Sequence, residues 1–209
     1  IIEGINDIKI IDINNAKNLG YKIKLISESY IIKNKMYSVT GPKLIFNNKP
    51  LANVDGVLNA IEIKTDQLQS LFLEGEGAGG KATASSVISD LYEISSNSNL
   101  KSLGFRTKNL KKYEKIDIRE IESSFYLRIT TKDIPGVLAK ITSLLNDEKV
   151  SIKTILQIPD KYELANEIPI IILTHEITKN LLIKALINIE KLDFVVAKIT
   201  VISIDNSFE

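Results

Sequence analysis

The clearest pattern in the first third of the chain is an alternation of polar and apolar side chains at residues 21–32, which predicts a half-buried β-strand. Shorter runs predict three more strands, at residues 36–40, 57–64 and 69–74. We therefore expect residues 21–74 to form one largely antiparallel sheet. Its apolar face requires a covering layer that a single short helix before it is too small to supply.

Residues with special backbone preferences set the expected ends of the first elements. Asp12 can cap a helix over residues 13–19, and Gly20 lies where a glycine commonly ends a helix. Gly41 and Pro42 are expected to end the second strand, because proline donates no hydrogen bond to a sheet. The expected order is therefore a helix followed by a β-hairpin.

A glycine-rich segment, EGEGAGGKATASSVISD, joins the last of these strands to a predicted helix. Gly75, Gly77 and Gly80 have the G-x-G-x-x-G spacing and are expected to form one tight turn, in which backbone N–H groups can approach a phosphate. The dinucleotide-binding unit with this spacing needs a second parallel strand after the helix, whereas this chain continues with serine and asparagine. Spacing alone leaves two interpretations open, a phosphate-facing loop and a plain turn that requires positive φ.

The pattern changes at residue 123, where strands and amphipathic helices alternate. Strands are predicted at residues 125–131, 150–157, 167–174 and 194–204, with a hairpin loop at residues 159–166. Apolar residues recur at helical spacing in two segments, one with Val137, Ile141, Leu144 and Leu145 and one with Leu182, Ala185, Leu186 and Ile189. The predicted order is βαββαβ, a ferredoxin-like split βαβ fold.

Composition argues against several kinds of chemistry. The 27 Lys and Arg residues balance 26 Asp and Glu residues, and no basic stripe interleaved with aromatic residues indicates a nucleic-acid partner. The chain has no cysteine, and its one histidine, His175, is interpreted as a strand-end residue; we expect no bound metal and no Ser-His-Asp catalysis. No membrane-spanning run or signal sequence is found, so we expect a cytoplasmic protein without a membrane partner.

Several stretches resemble two known families. The segments EGI at residues 3–5, AKNLGYKIKL at 16–25, PLANVDGVLNAI at 50–61 and GEGAGGKATASSVISDL at 75–91 are similar to the C-terminal half of homoserine dehydrogenase. Independently, TKDIPGVLAKI at residues 131–141 is similar to the first strand, turn and helix of an ACT regulatory domain. Bacterial homoserine dehydrogenases commonly carry an ACT domain in this position.

The resemblance implies an α+β fold with two domains and a linker. Residues 1–96 would form a mostly antiparallel sheet with helices, the C-terminal part of the catalytic and dimerisation domain, in which residues 81–96 are a helix returning to the nucleotide-binding domain. Residues 97–122 would be a linker, and residues 123–206 a ferredoxin-like ACT domain.

The resemblance also implies an activity, the NAD(P)-dependent interconversion of L-homoserine and L-aspartate 4-semialdehyde in threonine, methionine and isoleucine biosynthesis. In that family the nucleotide-binding fold comes mainly from the N-terminal part, and the catalytic lysine and the acidic residues that hold homoserine lie before the position of Ile1. We therefore expect no catalytic residue in this chain and no activity from this piece alone. A preference for NAD or NADP does not follow from these residues.

In the family the glycine turn closes over the cofactor, so the resemblance implies cofactor proximity for Gly77, Ala78, Gly79 and Gly80. The alternative is that these residues serve only the turn. The helix at residues 84–94 is expected to be disordered, displaced or packed against a neighbouring molecule, because its partner in the enzyme is missing. Three nearby polar residues are interpreted as turn and strand-end residues rather than a polar site: Asn53, Asp55 and Asn59.

In ACT domains that bind amino acids, two copies pair and the effector lies beside the first strand-to-helix turn. The candidates here are Asp133, Gly136, Val137 and Leu138, with Ile155 on the facing strand. Backbone N–H groups at the helix start can bind a carboxylate, and a carboxylate side chain can bind the ammonium. The alternative is that the turn residues only shape the turn.

Threonine is the effector that the pathway suggests, and we expect a homodimer or tetramer formed through the sheet and the ACT domains. A second reading of the whole chain is a non-catalytic module that binds an amino acid and dimerises.

Overall fold

A computed structural model describes residues 2–96, 107–157 and 167–205 of the chain. The chain divides into two compact units, a large unit of residues 1–47 with 114–209 and a small unit of residues 48–113. The predicted hairpin loop at 159–166, residues 97–106 of the predicted linker and residue 206 lie outside the described residues.

The large unit contains three helices and eight strands among the described residues: α1 (Ile10–Asn18), β1 (Tyr21–Ile32), β2 (Lys35–Phe46), and, after the small unit, β5 (Glu114–Lys115), β6 (Glu122–Lys132), α3 (Val137–Asp147), β7 (Ile152–Gln157), β8 (Glu167–Thr174), β9 (Ile177–Thr178), α4 (Lys179–Ile189) and β10 (Thr200–Ile204). The small unit contains β3 (Leu58–Ile63), β4 (Leu71–Glu76) and α2 (Gly80–Ser95). Single turns of 3-10 helix lie at Pro50–Asn53, Thr107–Asn109 and Ile118–Glu120.

The predicted βαββαβ order is confirmed, and its strands form one sheet with the first hairpin. The main strand order is β1-β2-β10-β6-β8-β7, in which β10 runs antiparallel to β6 and parallel to β2. The α+β fold class with a mainly antiparallel sheet is therefore confirmed. These hydrogen bonds group the first hairpin with the ACT-like strands in one compact unit, whereas the predicted domain division follows family boundaries along the chain.

Alternate residues of β6 bury their side chains on opposite faces of this sheet. Phe125, Leu127 and Ile129 face a core that includes Ile141 of α3 and Leu182 of α4. On the other face a second core contains Tyr126 of β6, Ala16 of α1, Leu44 of β2 and Ile202 of β10. The sheet is therefore covered on both faces, as its long apolar strands require.

Two expectations about the first sheet are wrong. Residues 21–74 do not form one sheet, because β3 and β4 pair with each other in a separate two-stranded sheet. Gly41 and Pro42 do not end the second strand: β2 continues to Phe46, with Pro42 opposite Leu25 of β1. Proline is tolerated at a strand position whose backbone nitrogen is not needed for the ladder.

The first helix begins earlier than expected. It starts at Ile10 after Lys9, so Asp12 lies inside the first turn, where it accepts a hydrogen bond from the Lys9 N–H at 2.8 Å. Gly20 follows the helix with φ +84°, a conformation that favours glycine, and this prediction is confirmed.

The predicted tight turn at residues 75–80 is shorter in the structure. Gly75 lies within β4, opposite Asn59 of β3, and α2 begins at Gly80, so the turn between them contains residues 77–79. None of the described helices is long and apolar enough to cross a membrane.

Candidate functional site

The glycine turn of the small unit delivers the chain from β4 to the N-terminus of α2. Gly79 is the residue before the helix and has φ +113°, which side-chain-bearing residues rarely adopt. A Cβ atom placed on Gly79 or Gly80 would meet nothing within 4 Å. The first N–H groups of a helix have no intrahelical acceptor, so this exposed turn presents donors at the positive end of the helix dipole.

Gly77 has a different reason to be glycine. Its N–H donates to the Val57 carbonyl at 2.8 Å, which closes the end of the β3–β4 hairpin. A Cβ atom on Gly77 would lie 1.4 Å from the Asn59 Nδ2 atom, so the bare backbone leaves room for the Asn59 side chain. The structural role of Gly77 is therefore steric, whereas Gly79 supplies the positive φ of the turn.

The polar residues near this turn lie where turn and strand-end residues are expected. The Asn53 Nδ2 donates to the Lys49 carbonyl at 3.2 Å, the Asp55 carbonyl accepts from the Leu58 N–H at 3.3 Å, and Asn59 belongs to β3. His175 directly follows β8, and its N–H donates to the Ser151 carbonyl at 2.9 Å. The described residues contain no group of three or more His, Asp or Glu side chains placed to hold a metal ion.

Helix α2 has no buried residue, although its composition is apolar. Val87, Ile88 and Leu91 are 51%, 65% and 56% exposed, and Tyr92 and Ile94 are each 74% exposed. These residues cover more than one side of the helix. An apolar helix of this kind is normally buried in a larger protein.

The second candidate site is the turn between β6 and α3 in the large unit. Gly136 caps α3 with φ +89°, and its carbonyl accepts from the Lys140 N–H at 3.0 Å. Asp133 and Gly136 are exposed, and a Cβ atom on Gly136 would meet nothing within 4 Å. The start of α3 is thus open to a small ligand, with a carboxylate three residues before the cap.

The three apolar candidates at this turn differ in burial. Val137 is 6% exposed and Ile155 is partly buried, and both side chains belong to the core under α3 and α4. Leu138 is 38% exposed on the first turn of α3. The structure therefore brings Asp133, Gly136 and Leu138 together at the surface, and Val137 and Ile155 line the core behind them.

Sequence patterns missed a buried charged cluster on the opposite face of the sheet. The Arg128 Nε donates to the Asp12 Oδ1 at 2.7 Å, and the Tyr126 hydroxyl donates to the same oxygen at 2.9 Å. Arg128 Nη2 also donates to the Thr200 hydroxyl at 2.6 Å. The Asp12 and Arg128 side chains are 0% and 4% exposed. Only the polar residues on alternate positions of a long apolar strand could have indicated a second buried face.

Known proteins match nearly the whole chain. The family model for homoserine dehydrogenase matches residues 1–92, and the model for the ACT domain matches residues 125–191. Homoserine dehydrogenases of Neisseria gonorrhoeae and Helicobacter pylori are 34% and 32% identical, over 98% and 99% of this chain and 48% of each relative. A solved homoserine dehydrogenase from Thiobacillus denitrificans is 32% identical with a TM-score of 0.81, covering 97% of this chain and 47% of that chain.

This chain belongs to the homoserine dehydrogenase family. It spans about half the length of the curated relatives that it matches. The resemblances to homoserine dehydrogenase and to an ACT domain are thereby confirmed. The homoserine dehydrogenase match includes the glycine turn and α2, and the ACT match runs from β6 to just beyond α4.

Proposed function

We propose that this chain is the C-terminal part of a cytoplasmic homoserine dehydrogenase that interconverts L-homoserine and L-aspartate 4-semialdehyde with NAD or NADP. The observation that carries the proposal is 34% identity over 98% of the chain to an enzyme of that name. The reaction belongs to threonine, methionine and isoleucine biosynthesis. Residues 1–96 are the part of the catalytic and dimerisation domain, residues 97–122 the linker and residues 123–206 the ACT domain.

In this proposal the glycine turn lies against the nicotinamide cofactor. Gly79 and Gly80 leave the backbone uncovered and Gly77 gives its space to Asn59, so a flat ligand can approach the N-terminus of α2 without meeting a side chain. Ala78 lies between these glycines. The cofactor, when bound, supplies the hydride donor or acceptor, and the turn contributes N–H groups and the exclusion of water.

The exposed apolar surface of α2 supports a second role, contact with the nucleotide-binding part of the enzyme. Because the catalytic lysine of the family lies before the position of Ile1, we infer that this chain alone has no dehydrogenase activity. The most direct test mixes the purified chain with the amino-terminal portion of the Neisseria gonorrhoeae enzyme, up to the position that aligns with Ile1.

We expect homoserine-dependent reduction of NADP or NAD by the mixture and none by either piece alone. Turnover by this chain alone would contradict the assignment of its catalytic residues. A mixture that forms a stable complex, seen by size-exclusion chromatography, yet has no turnover with either cofactor would contradict the proposed activity.

A Gly80→Ala variant tests the cofactor contact within that mixture. Alanine fits the first position of a helix and meets nothing within 4 Å, so the variant should fold like the parent chain. If the cofactor approaches this backbone, the KM for the cofactor rises at least about tenfold. Gly75→Ala is the matched control, since that position in β4 is equally open but lies before the turn.

We also propose that the ACT domain binds an amino-acid effector, L-threonine, at an interface between two copies. The open start of α3 supports binding of the carboxylate, and Asp133 supports binding of the ammonium. In a thermal-shift assay threonine should raise the unfolding temperature, while isoleucine, methionine and lysine serve as comparisons. Asp133→Asn should abolish the shift, and Asp147→Asn, at the other end of α3, should retain it.

The alternative is a non-catalytic module that binds an amino acid and dimerises. The specific observation in its favour is that the large unit has a buried core on both sheet faces without residues 48–113. The mixing experiment separates the two readings, because the module predicts a threonine-induced shift and no complementation. Homodimers or tetramers are expected under both readings.

A further inference from the structure

A cavity of about 260 Å³ lies within the large unit on the face of the sheet that α3 and α4 cover elsewhere. Phe125 and Val201 belong both to the core beneath those helices and to the cavity wall. The helices therefore cover one half of this sheet face, and the cavity occupies the half formed by the first hairpin.

Alternate residues of the two hairpin strands form the floor of the cavity. They are Ile26, Glu28 and Tyr30 of β1 and Tyr37, Val39 and Lys43 of β2. The 3-10 turn at Ile118–Glu120 and the residues after it contribute apolar walls through Ile118 and Ile121. The floor thus combines an aliphatic surface with a buried charged pair.

The opposite rim of the cavity depends on a glycine. The Glu3 N–H donates to the Thr40 carbonyl at 2.8 Å, which brings Glu3 over Gly41. A Cβ atom on Gly41 would lie only 2.9 Å from the Glu3 Cβ atom. Glu3 forms an ion pair with Lys179, the first residue of α4, and both line the cavity.

The charges around the cavity are unequal. Four carboxylates line it and two ammonium groups do, and the residues are Glu3, Glu28, Glu122, Asp205, Lys43 and Lys179. The Glu28–Lys43 pair, at 2.6 Å, is shielded from water, with side chains that are 10% and 14% exposed. Since carboxylates outnumber ammonium groups by four to two, the cavity favours a cation over an anion.

Tyr37 lies between the excess acids. Burial first, and then the negative charges of Glu28 and Asp205, raise the pKa of the Tyr37 hydroxyl, so it stays protonated. Its ring stacks on Tyr30 with 5.3 Å between centroids. Faces of aromatic rings attract cations, which adds a second feature suited to a positively charged ligand.

We propose that this cavity binds a small ligand with a primary ammonium group on a short aliphatic body. The ammonium faces Glu28 and Asp205 beside the tyrosine pair, and the aliphatic body lies on Ile26 and Val39. The site is separate from the turn between β6 and α3, and it does not depend on the dehydrogenase proposal.

Two probes with the same carbon skeleton test the charge requirement. Isoamylamine and 4-methylpentanoate are each titrated into the 209-residue chain and followed by backbone amide chemical shifts. We expect saturable shifts around the cavity with isoamylamine, with a Kd on the order of 1 mM for so small a ligand. The carboxylate should give none at the same concentrations. Equal binding of both probes, or no saturable binding of the amine, would overturn the proposal.

Three variants locate the site. Glu28→Gln and Asp205→Asn should each weaken isoamylamine binding about tenfold by removing a charge-assisted hydrogen bond. Ser203→Leu places an aliphatic side chain in the cavity from β10 and should abolish binding without changing any charge. Asp193→Asn, an exposed position outside the cavity, is the matched control and should bind like the parent chain. Unchanged binding by Ser203→Leu, in a variant with a dispersed amide spectrum, would place the ligand elsewhere and contradict the inference.

Discussion

In the large unit both faces of the sheet are buried, and helices α3 and α4 each bury several apolar side chains. In the described part of the small unit Ala52 is the one buried residue, and α2 buries none. Both units contain amphipathic or apolar elements of similar length. The difference shows that the large unit supplies its own core, whereas the apolar residues of the small unit require a surface that residues 48–113 do not contain.

The buried charge in the large unit should carry the largest single effect. Arg128→Met leaves the Asp12 carboxylate buried without its 2.7 Å partner, which typically costs about 3–5 kcal/mol of unfolding free energy. Urea unfolding followed by circular dichroism measures the change.

The exposed Asp7–Lys198 pair provides the control for this prediction. Its side chains are 61% and 74% exposed, so Lys198→Met should leave the unfolding midpoint nearly unchanged. Replacing both buried charges, with Asp12→Leu and Arg128→Met together, should recover part of the lost stability. Similar midpoint shifts for the two single variants would mean that the Asp12–Arg128 pair is not buried in solution.

The same substitution in two helices sharpens the comparison between units. Leu182→Ala removes a fully buried side chain of α4 and should cost about 3 kcal/mol. Leu91→Ala removes a side chain of α2 that is 56% exposed and should cost less than about 0.5 kcal/mol. Equal losses in unfolding free energy would show that α2 is packed against a surface of this chain.

A third prediction concerns the small unit alone. Gly77→Ala forces the Asn59 side chain to move and should cost about 1 kcal/mol. Adding Asn59→Ala should recover most of that loss, which a double-mutant cycle measures. If the double variant is no more stable than Gly77→Ala, backbone strain rather than the Asn59 side chain limits this position.

Alkaline pH should destabilise the large unit. Burial first, and then the charge of Asp12, raise the pKa of the Tyr126 hydroxyl above its ordinary value of 10.0. Above that value the unfolded chain releases the proton while the folded chain retains it, so stability is full below about pH 10 and falls as the pH rises. Tyr126→Phe should make the urea midpoint less dependent on pH between about pH 9 and pH 11. An unchanged dependence would assign the effect to other tyrosines.

The smallest effect is expected at the exposed Asp117. A hydrogen bond from the Arg119 side chain lowers the pKa of Asp117 from 3.8 to about 2. Its stabilising contribution is therefore present above about pH 4 and is lost as the pH falls toward about 2. In a carboxyl NMR titration, Arg119→Gln should return this pKa toward 3.8. A titration that Arg119→Gln does not move would remove the ion pair from the solution structure.

Local patterns predicted the elements whose signals are local. The stripe from Val137 to Leu145 and the βαββαβ order were predicted because helical spacing and alternation each depend on neighbouring residues. Gly20 was predicted because its positive φ is a local requirement. The pairing of β2 with β10 was not predictable, because it joins residues more than 150 positions apart.

The errors have related causes. Pro42 was expected to break a strand, since the pattern does not show which backbone nitrogens the ladder leaves unused. Asp12 was predicted as a helix cap, and the structure places its side chain against Arg128 on a strand more than 100 residues away. The glycine turn was located correctly as a strand-to-helix connection, but its contact with a cofactor remains a prediction because the ligand would be held mainly by residues outside this chain.

Hydrogen exchange of the α2 amides tests the central claim most directly, that the small unit is built to pack against the nucleotide-binding part of a homoserine dehydrogenase. In the chain alone, α2 should exchange orders of magnitude faster than α4, and adding the amino-terminal portion of the Neisseria gonorrhoeae enzyme should slow it strongly. Protection of α2 equal to that of α4 in the chain alone, unchanged by the added portion, would contradict the account.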